Sequence, residues 1–453
     1  MAKEANIVML GASLIMILLL TVGLLYASLT ISPFETWKYK LSNWDDRSVG
    51  GEESLRLLFR RLVRGKDRVQ LDTTGLSCHS DLHFEQCLAN KPVIIDKNAS
   101  TVYIPSCEAK SEYKLKPYAR KEDETAMKLV TPVRILHGNI SPPSCDFIHQ
   151  VPAVIFSSGG FTGNVFHELN EIIIPLFLTC YHFQSRVQFV ITDFKPWWVE
   201  KYSRVLSQLS SHDVLNPVDN GSVHCFPGAI LGLRYHDNLA LNYTEIPGGY
   251  SMLDFKQFLR ESFMLKMKHV SEMNRQEPVL MLLSRRGTRE FLNEDKMVEM
   301  MEALGFQVIA ATPNQTLNLD TFSGLVNKCS VIVGAHGAGL TNAVFLPSKA
   351  VTVQVVPLGL DWASAAYYGE TVAGGLGLEY LEYKIRAEES SLVDVYGPDH
   401  PVITDPMSIF AKGYEAARAV YVDGQNMKIN LVRFRKTLVE AMKLLGQYST
   451  PEN

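Results

Sequence analysis

The feature that most constrains this sequence is an apolar segment that ends in a glycine-rich turn, Ser330-Val-Ile-Val-Gly-Ala-His-Gly-Ala-Gly-Leu-Thr-Asn342. Residues 331–333 predict a buried β-strand, and the small residues after it predict a turn that opens a helix near Leu340. Because the three glycines of the turn lack a Cβ, backbone N–H groups there can approach a ligand closely. Free N–H groups at a helix start attract anions. The pattern therefore predicts the diphosphate site of an α/β enzyme. The alternative is a tight turn in which the glycines serve only packing.

Predicted strands and helices alternate on both sides of this turn. In the second half of the chain, strands are predicted at Val279–Leu283, Gln307–Ala311 and Val351–Val356, and helices at 294–304, 319–328 and 427–445. In the first half, strands are predicted at Ala153–Ser157 and 187–192, and helices at 164–179 and 197–209. Such alternation is typical of a doubly wound parallel sheet. We expect an α/β fold with two Rossmann-like halves facing across a cleft, and ligands at the carboxyl ends of their strands.

The length of 453 residues indicates two domains, and the apolar and charged fractions are those of a globular protein. We predict a Rossmann-like domain at 76–250, a second at 251–425, and a C-terminal helix and tail at 426–453. Residues 30–75 are interpreted as a stem, and the Lys- and Glu-rich residues 108–128 as a solvated loop. A net charge of −4 without a dominant basic patch argues against nucleic acid as a partner.

The N-terminal segment predicts a membrane anchor at 7–29, after a cytosolic tail at 1–6. No charged residue occurs from Ala5 to Phe34, a stretch long enough to span a bilayer. An uncleaved anchor is favoured over a cleaved signal peptide, which usually has a shorter apolar region. Basic residues after the segment do not by themselves favour a lumenal body.

Two other features favour an oxidising, lumenal compartment. Five Asn-x-Ser/Thr sequons follow the anchor, at Asn98, Asn139, Asn220, Asn242 and Asn314. Seven cysteines suit disulfide formation, and four of them cluster early in the chain, at Cys78, Cys87, Cys107 and Cys145. The odd count leaves at least one free thiol or an intermolecular bond, and Cys329 is interpreted as a small buried hydrophobe.

Three further groups of residues are predicted to line the cleft. The basic loop Ser284-Arg-Arg-Gly-Thr-Arg289 directly follows a strand, and arginine suits bidentate recognition of phosphate, although a solvated basic turn is the alternative. Asn164, His167 and Glu171 fall on one face of a predicted helix. There Glu171 can orient His167 as a general base, with Glu168 as the competing base; a surface pair with a helix cap is the alternative.

The third group lies in Thr192-Asp-Phe-Lys-Pro-Trp-Trp198, after the next predicted strand. Asp193 and Trp198 are candidates for acceptor binding, although adjacent Trp residues are more often partly core. The chain contains no Asp-x-Asp, and no Cys or His spacing indicates zinc. We therefore expect arginines and helix N–H groups, rather than a metal ion, to stabilise the charge on a leaving diphosphate.

The blocks at 151–167, 188–198, 224–227, 283–286 and 334–342 together resemble glycosyltransferase family 61, specifically its plant xylan arabinosyl- and xylosyltransferase branch. The resemblance covers about residues 78–445. It implies a GT-B-type fold, a type II Golgi membrane protein with a lumenal catalytic domain, and inverting transfer from a UDP-sugar without a metal. It places the UDP-sugar in the second domain, at Ser284, Arg285, Arg289, His336, Gly337, Ala338, Gly339, Thr341 and Asn342.

The resemblance places the acceptor and the reacting sugar at the first domain, near Asn164, His167 and Glu171. Glu168 and Glu171 stand where plant members more often carry Asp, so each carboxylate is displaced by one methylene. We expect transfer of a pentose, xylose or arabinofuranose, from a UDP-pentose to xylan or a xylo-oligosaccharide. The alternatives are another UDP-sugar, an N-glycan or glycoprotein acceptor, or a non-catalytic Golgi sugar-binding protein. The sequence does not specify the pentose or the oligomeric state.

Overall fold

The computed structural model describes residues 51–446, apart from 98, 220 and 274–276. Its strands are β1 (Leu76–Ser80), β2 (Glu85–Ala89), β3 (Val93–Ile95), β4 (Thr101–Pro105), β5 (Ser111–Leu115), β6 (Val133–Gly138), β7 (Phe147–Ile148), β8 (Ala153–Ser157), β9 (Gln188–Thr192), β10 (His224–Phe226), β11 (Ala229–Leu231), β12 (Val279–Leu283), β13 (Gln307–Ala311), β14 (Val331–Ala335), β15 (Val351–Val356) and β16 (Glu379–Lys384). They form three sheets.

Helices connect and cover these sheets. The α-helices are Gly51–Arg61, Gly65–Thr74, Glu124–Lys128, Val165–His167, Ile174–Cys180, Pro196–Lys201, Ser203–Leu209, Met252–Ser262, Glu294–Ala303, Leu319–Val326, Asp361–Tyr368, Glu370–Gly375, Leu392–Tyr396, Pro401–Thr404, Pro406–Phe410, Tyr414–Ala417 and Leu431–Leu444. Shorter 3₁₀ turns and two π-helical turns, Glu168–Ile173 and Arg418–Asp423, complete the set.

The sheet of the second half is entirely parallel, in the order β13-β12-β14-β15-β16. β14 and β15 are buried along their whole length, as expected for strands covered by helices on both faces. The chain leaves β12 toward β13 and then crosses to the other side, so the strand order reverses between β12 and β14. The prediction of a doubly wound parallel sheet is confirmed for this half.

The first half departs from that simple pattern. Its central sheet has the order β1-β2-β11-β8-β9, in which β11, β8 and β9 are parallel and β1 and β2 antiparallel. A second, six-stranded mixed sheet has the order β5-β6-β4-β3-β10-β7. Apolar residues of both sheets share one core cluster, so the two sheets pack face to face. The six-stranded sheet was not predicted from the sequence, because its strands are short and lack a long apolar run.

The interpretation of 108–128 as a solvated loop is wrong in part. The segment contains β5 and the helix Glu124–Lys128. Tyr118 and Ala119 within it are fully buried. The high proportion of charged residues conceals these buried positions, because its lysines and glutamates lie beside a few inward-facing side chains.

The two halves share one continuous hydrophobic cluster, and the chain from Leu55 onward forms one compact unit. The predicted domain boundary at 250/251 lies within that unit, so the division into two domains stays a prediction. The other face of the parallel sheet is covered by Leu431–Leu444, whose buried stripe includes Phe434, Leu438 and Met442. This helix begins later than predicted because Met427 instead bridges to Phe291 and Ser390.

Two disulfides stabilise the first half, Cys78–Cys87 between β1 and β2 and Cys145–Cys225 beside β10. Cys107 is free and exposed, whereas Cys180 and Cys329 are free and buried, which confirms the interpretation of Cys329. The predicted anchor at 7–29 lies outside the described residues. Within the described part of the chain, no helix has the length and apolarity needed to cross a bilayer.

Candidate functional site

The predicted anion site lies at the point where the strand order of the parallel sheet reverses. The basic loop begins at Ser284, directly after β12, and the glycine turn begins at His336, directly after β14. These strands are neighbours in the sheet. In doubly wound sheets the crevice at such a reversal is the usual ligand site. The structure therefore brings the two predicted loops together at one edge.

Two guanidinium groups converge on this turn. A Cβ added to Gly337 would lie 2.8 Å from Nη1 of Arg285 and 3.0 Å from Nη1 of Arg289. Gly337 also has φ +148°, a conformation that side chains rarely adopt. Glycine is thus required here by both the backbone and the arginines.

Neither arginine forms a salt bridge with a carboxylate among the residues that the structure describes; their hydrogen bonds go to neutral groups. Arg285 Nε donates to Thr288 O at 3.0 Å, and Arg289 Nη1 donates to His336 O at 2.8 Å. Burial lowers the pKa of Arg285, and burial and the neighbouring Arg285 together lower the pKa of Arg289 to about 10. Nε of Arg289 is buried without a hydrogen-bond partner in the structure. Asp423 attracts Arg289 without forming a salt bridge with it. Two partly desolvated cations that have no salt-bridge partner among the described residues form a preorganised anion site.

His336 adds a neutral polar group beside the arginines. Its ring is almost fully buried, and burial and Arg289 lower its pKa to about 3. Its Nδ1 has no hydrogen-bond partner among the described residues. The imidazole therefore remains uncharged at neutral pH, with the Gln354 side chain as its polar neighbour.

The other residues predicted to bind the UDP-sugar form hydrogen bonds within the protein. Ser284 Oγ donates to Glu294 Oε1 at 2.7 Å, Thr341 Oγ1 lies 2.9 Å from the Tyr368 hydroxyl, and Asn342 Nδ2 donates to Gly339 O at 2.9 Å. Thr341 and Asn342 are almost fully buried, whereas Ala338 and Gly339 are half-buried. The structure thus places their side chains as supports of the 3₁₀ helix Ala338–Phe345.

The first-half helix contains a wide turn at the predicted site. It runs from 165 to 180, with Glu168–Ile173 wound as a π-helix in which Ile174 N–H donates to Leu169 O five residues back. Asn164 caps its start, accepting from Phe166 N–H at 3.0 Å, and is exposed. Single π-turns inside helices occur frequently at functional sites.

His167 and Glu171 form a close pair on this helix. His167 Nδ1 lies 2.5 Å from Glu171 Oε1, the imidazole is partly exposed, and the carboxylate is fully buried. Because an ionised carboxylate only accepts, a neutral His167 carries its proton on Nδ1 and leaves Nε2 unprotonated. The pair therefore has the arrangement of a general base held by a carboxylate.

Glu168 is also fully buried, but its oxygens are already occupied. It accepts from Gly163 N–H at 3.0 Å and from the Tyr202 hydroxyl at 2.7 Å, and it forms an ion pair with Lys201. Burial and Glu168 raise the pKa of Tyr202. This geometry favours His167 over Glu168 as the group that takes up a proton.

Two residues of this site were not predicted from the sequence, Tyr118 and Arg120. The Tyr118 hydroxyl donates to Glu171 Oε2 at 2.5 Å, and Arg120 Nη1 donates to Glu171 Oε1 at 2.8 Å. Although burial acts to lower it, Glu171 raises the pKa of Arg120 overall. The Tyr118 ring also packs on Gly160, where a Cβ would lie 2.4 Å from it. Both residues come from the supposed solvated segment, so no sequence pattern indicated them.

The structure brings the two halves of the site together. Val165–His167 packs against Ala338–Phe345. The Phe166 ring lies 5.2 Å from that of Tyr367, and the Tyr367 ring lies 6.4 Å from that of His336. The His167–Glu171 pair is thus connected by a short series of aromatic rings to the arginine pocket, formed by Arg285 and Arg289.

The two acceptor-binding candidates after β9 do not present free groups to this site. Asp193 accepts from the hydroxyls of Ser157 and Thr131, both at 2.5 Å, so its carboxylate organises the loop ends. Trp198 is fully buried beside Phe156 and Tyr202, which corrects its prediction as a sugar-stacking residue. The exposed ring of the pair is Trp197.

Comparison with known proteins identifies a family. The family model Glycosyltransferase 61 matches residues 160–353, a range that includes both halves of the site. The chain is 38% identical over 389 residues to the α-1,3-arabinosyltransferase XAT3 of Oryza sativa subsp. japonica, covering 84% of this chain and 67% of that protein.

Two further relatives show the same level of similarity. The β-1,2-xylosyltransferase XAX1 of Oryza sativa subsp. japonica is 38% identical, covering 78% of this chain and 64% of its own length. The xylan glycosyltransferase MUCI21 of Arabidopsis thaliana is 37% identical, covering 72% of this chain and 70% of its own length. The chain spans about two thirds of the length of these curated relatives.

Proposed function

The chain belongs to glycosyltransferase family 61, and from that premise we propose that it is an inverting pentosyltransferase. It would transfer xylose or arabinofuranose from a UDP-sugar to xylan as a side chain. Its relatives carry the names of arabinosyl- and xylosyltransferases, and one is named a xylan glycosyltransferase. The names do not agree on one pentose, so the proposal covers both.

The observation that carries the proposal is the contrast in charge between two adjacent sites. Arg285 and Arg289 are partly or fully buried cations with no salt-bridge partner in the described residues, beside a glycine whose missing side chain leaves room for both guanidinium groups. Next to them, Glu171 holds His167 with one ring nitrogen free to accept a proton. A reaction that releases a diphosphate and deprotonates a hydroxyl needs both features.

The proposed mechanism is a single displacement. Nε2 of His167 removes the proton of an acceptor hydroxyl, and the hydroxyl oxygen forms a bond to the anomeric carbon of the donor. The bond between that carbon and the diphosphate oxygen breaks, and its electron pair leaves with UDP. Arg285, Arg289 and the N–H groups around Gly337 stabilise the charge that develops on the diphosphate. Glu171 stabilises the imidazolium that forms.

We propose that the two arginines stabilise the diphosphate without a divalent cation. A thermal-shift titration with UDP tests this directly. We expect UDP to raise the melting temperature equally with and without EDTA, because binding to the native state stabilises it. A shift that EDTA abolishes would instead show that a metal ion holds the diphosphate.

Two finer features complete the proposal. The first is a GT-B-type arrangement, with an acceptor domain at 76–250 and a UDP-sugar domain at 251–425. The parallel sheet of β12–β16 supports the proposal of a UDP-sugar domain. The other is a type II Golgi location with residues 7–29 as the membrane anchor. The disulfides Cys78–Cys87 and Cys145–Cys225 support an oxidising compartment.

The experiment that tests the function combines transfer with a variant of the base. The protein is incubated with UDP-xylose or UDP-arabinofuranose and xylohexaose, and products are identified by mass spectrometry. His167→Ala is expected to lower kcat about 10³-fold, since general base catalysis contributes about 10²–10⁴-fold. UDP should stabilise the variant as it does the wild type. Near-normal transfer by a folded His167→Ala protein would show that another group is the base.

A further inference from the structure

An unbroken row of aromatic rings leads from the candidate base to the protein surface. The His167 ring lies 5.2 Å from Phe166, and Phe166 lies 5.2 Å from Tyr367. Tyr367 lies 6.3 Å from Trp362, and Trp362 lies 6.3 Å from Phe410. These spacings are those of rings in contact with one another.

Exposure increases from Phe166 to Trp362 and decreases again at Phe410. Phe166 is buried, Tyr367 is half-buried, and Trp362 has 51% of its surface exposed. Phe410 at the far end is half-buried, with its ring stacked at 5.6 Å on the buried Tyr421. A row that is anchored in the core at both ends and exposed in the middle is a rigid surface feature.

From this row we propose that Trp362, with Tyr367 and Phe410, forms an acceptor platform that binds the distal sugar rings of a β-linked pyranose chain. The proposal rests on the proposed function. The acceptor hydroxyl must lie at Nε2 of His167, so the chain that carries it must extend away from the base. The aromatic row starts at that ring and reaches exposed aromatic surface at Trp362, on which a neutral sugar ring can stack.

Two observations favour a sugar chain over the base of the donor nucleotide as the occupant. The row begins on the acceptor side, at His167. It meets the arginine pocket through Tyr367, whose ring stacks at 6.4 Å on His336, and its exposed ring, Trp362, lies one ring further out. The row also continues past Tyr367 to two more rings, which exceeds what one nucleobase would cover. The shape therefore matches an extended ligand.

The test measures acceptor affinity against acceptor length. Transfer kinetics are determined with xylobiose, xylotriose and xylohexaose for the wild type, Trp362→Ala and Trp362→Phe. We expect KM to fall with length in the wild type. Trp362→Ala should raise the KM for xylohexaose roughly tenfold, as loss of one stacked ring implies. It should leave the KM for xylobiose and for the UDP-sugar unchanged, and Trp362→Phe should restore most of the difference.

Direct binding and a control variant keep the test decisive. Xylohexaose binding is measured by calorimetry with UDP present, and Tyr243→Ala serves as the control because Tyr243 is 60% exposed outside the row. Equal xylohexaose affinity in the wild type and Trp362→Ala would overturn the platform. So would a raised KM for the UDP-sugar alone, which would place Trp362 in the donor site. Failure of the wild type to bind UDP or transfer a pentose would instead contradict the proposed function.

Discussion

The two halves of the candidate site differ in whether their charged groups are paired within the protein. At the arginine pocket, Arg285 and Arg289 have no carboxylate partner among the described residues. On the helix that carries His167, Glu168 and Glu171 are fully buried, and hydrogen-bond donors of the protein itself contact each carboxylate. His167 bonds Glu171 through Nδ1, which leaves its other ring nitrogen, Nε2, free of both carboxylates. Unsatisfied charge indicates where a ligand supplies the missing partner, and satisfied charge indicates groups that position a neighbour.

Among the variants that test this contrast, we expect the largest effect from Glu171→Gln. The change preserves shape but removes the negative charge that holds the protonated His167 and pairs with Arg120. We expect kcat to fall about 10²-fold. The free energy of unfolding should fall by about 2 kcal/mol, because hydrogen bonds to a charged group are lost. Steady-state kinetics and urea unfolding measure the two quantities.

Glu168→Gln is the matched comparison on the same helix. Its carboxylate is equally buried but contacts Tyr202 and Lys201 instead of the imidazole. We expect a similar loss of stability and a fall in kcat of less than tenfold. If Glu168→Gln abolished transfer while Glu171→Gln did not, Glu168 would be the base.

A second prediction concerns the opposite half. Arg289→Met should weaken UDP binding roughly 30-fold, since about 2 kcal/mol of charge-assisted hydrogen bonding to phosphate is removed. Without UDP the same variant should be as stable as the wild type or more stable by about 1 kcal/mol, because a buried unpaired charge is removed. Calorimetric titration and urea unfolding check both statements.

Arg286→Met is the control for this pocket. Arg286 lies in the same loop, but its side chain is exposed and forms an ion pair with Glu294. We expect its UDP affinity to stay within about twofold of the wild type. A marked loss of stability in unliganded Arg289→Met would show that the guanidinium serves the fold rather than a ligand.

The smallest predicted effect is a pH dependence at His336. Its pKa is about 3 in the folded protein, against an unperturbed value of about 6.5. Between these values the unfolded chain binds a proton that the folded protein does not, so stability is lost as pH falls below about 6.5. The contribution is about 1 kcal/mol per pH unit.

Urea unfolding between pH 7 and pH 5 measures this slope. His336→Gln should make it shallower, because it removes the buried imidazole. Saturating UDP should also reduce the slope, because a diphosphate offsets the repulsion from Arg289. An identical slope in wild type and His336→Gln would contradict the assigned burial effect.

The parallel half of the fold was readable from the sequence. Val279–Leu283, Gln307–Ala311 and Val351–Val356 are strands with the predicted bounds. They are apolar runs separated by helices and turns, so local pattern and tertiary burial agree. The loops after β12 and β14 were predicted for the same reason, since a glycine or arginine cluster that follows a strand has a defined position in a parallel sheet.

The partners of Glu171 were not readable. Tyr118 and Arg120 lie about fifty residues earlier in the chain, among lysines and glutamates that suggest solvent. The mixed sheet that positions them depends on pairings between distant short strands, such as β3 with β10. Local periodicity carries no information on such pairings, because contact across a sheet is a property of the whole chain.

The π-helical turn at Glu168–Ile173 makes the length of this segment matter as much as its composition. It inserts one residue between the turn that carries His167 and the segment Ile174–Cys180, which is buried throughout. Each residue rotates an α-helix by about 100°. A regular α-helix would have to rotate by that angle to take up an extra residue, whereas the wide turn takes it up locally. The face that carries His167 and the buried face of Ile174–Cys180 therefore keep their orientations, and deletion of one residue within 168–173 would remove the wide turn rather than rotate one face away from the other.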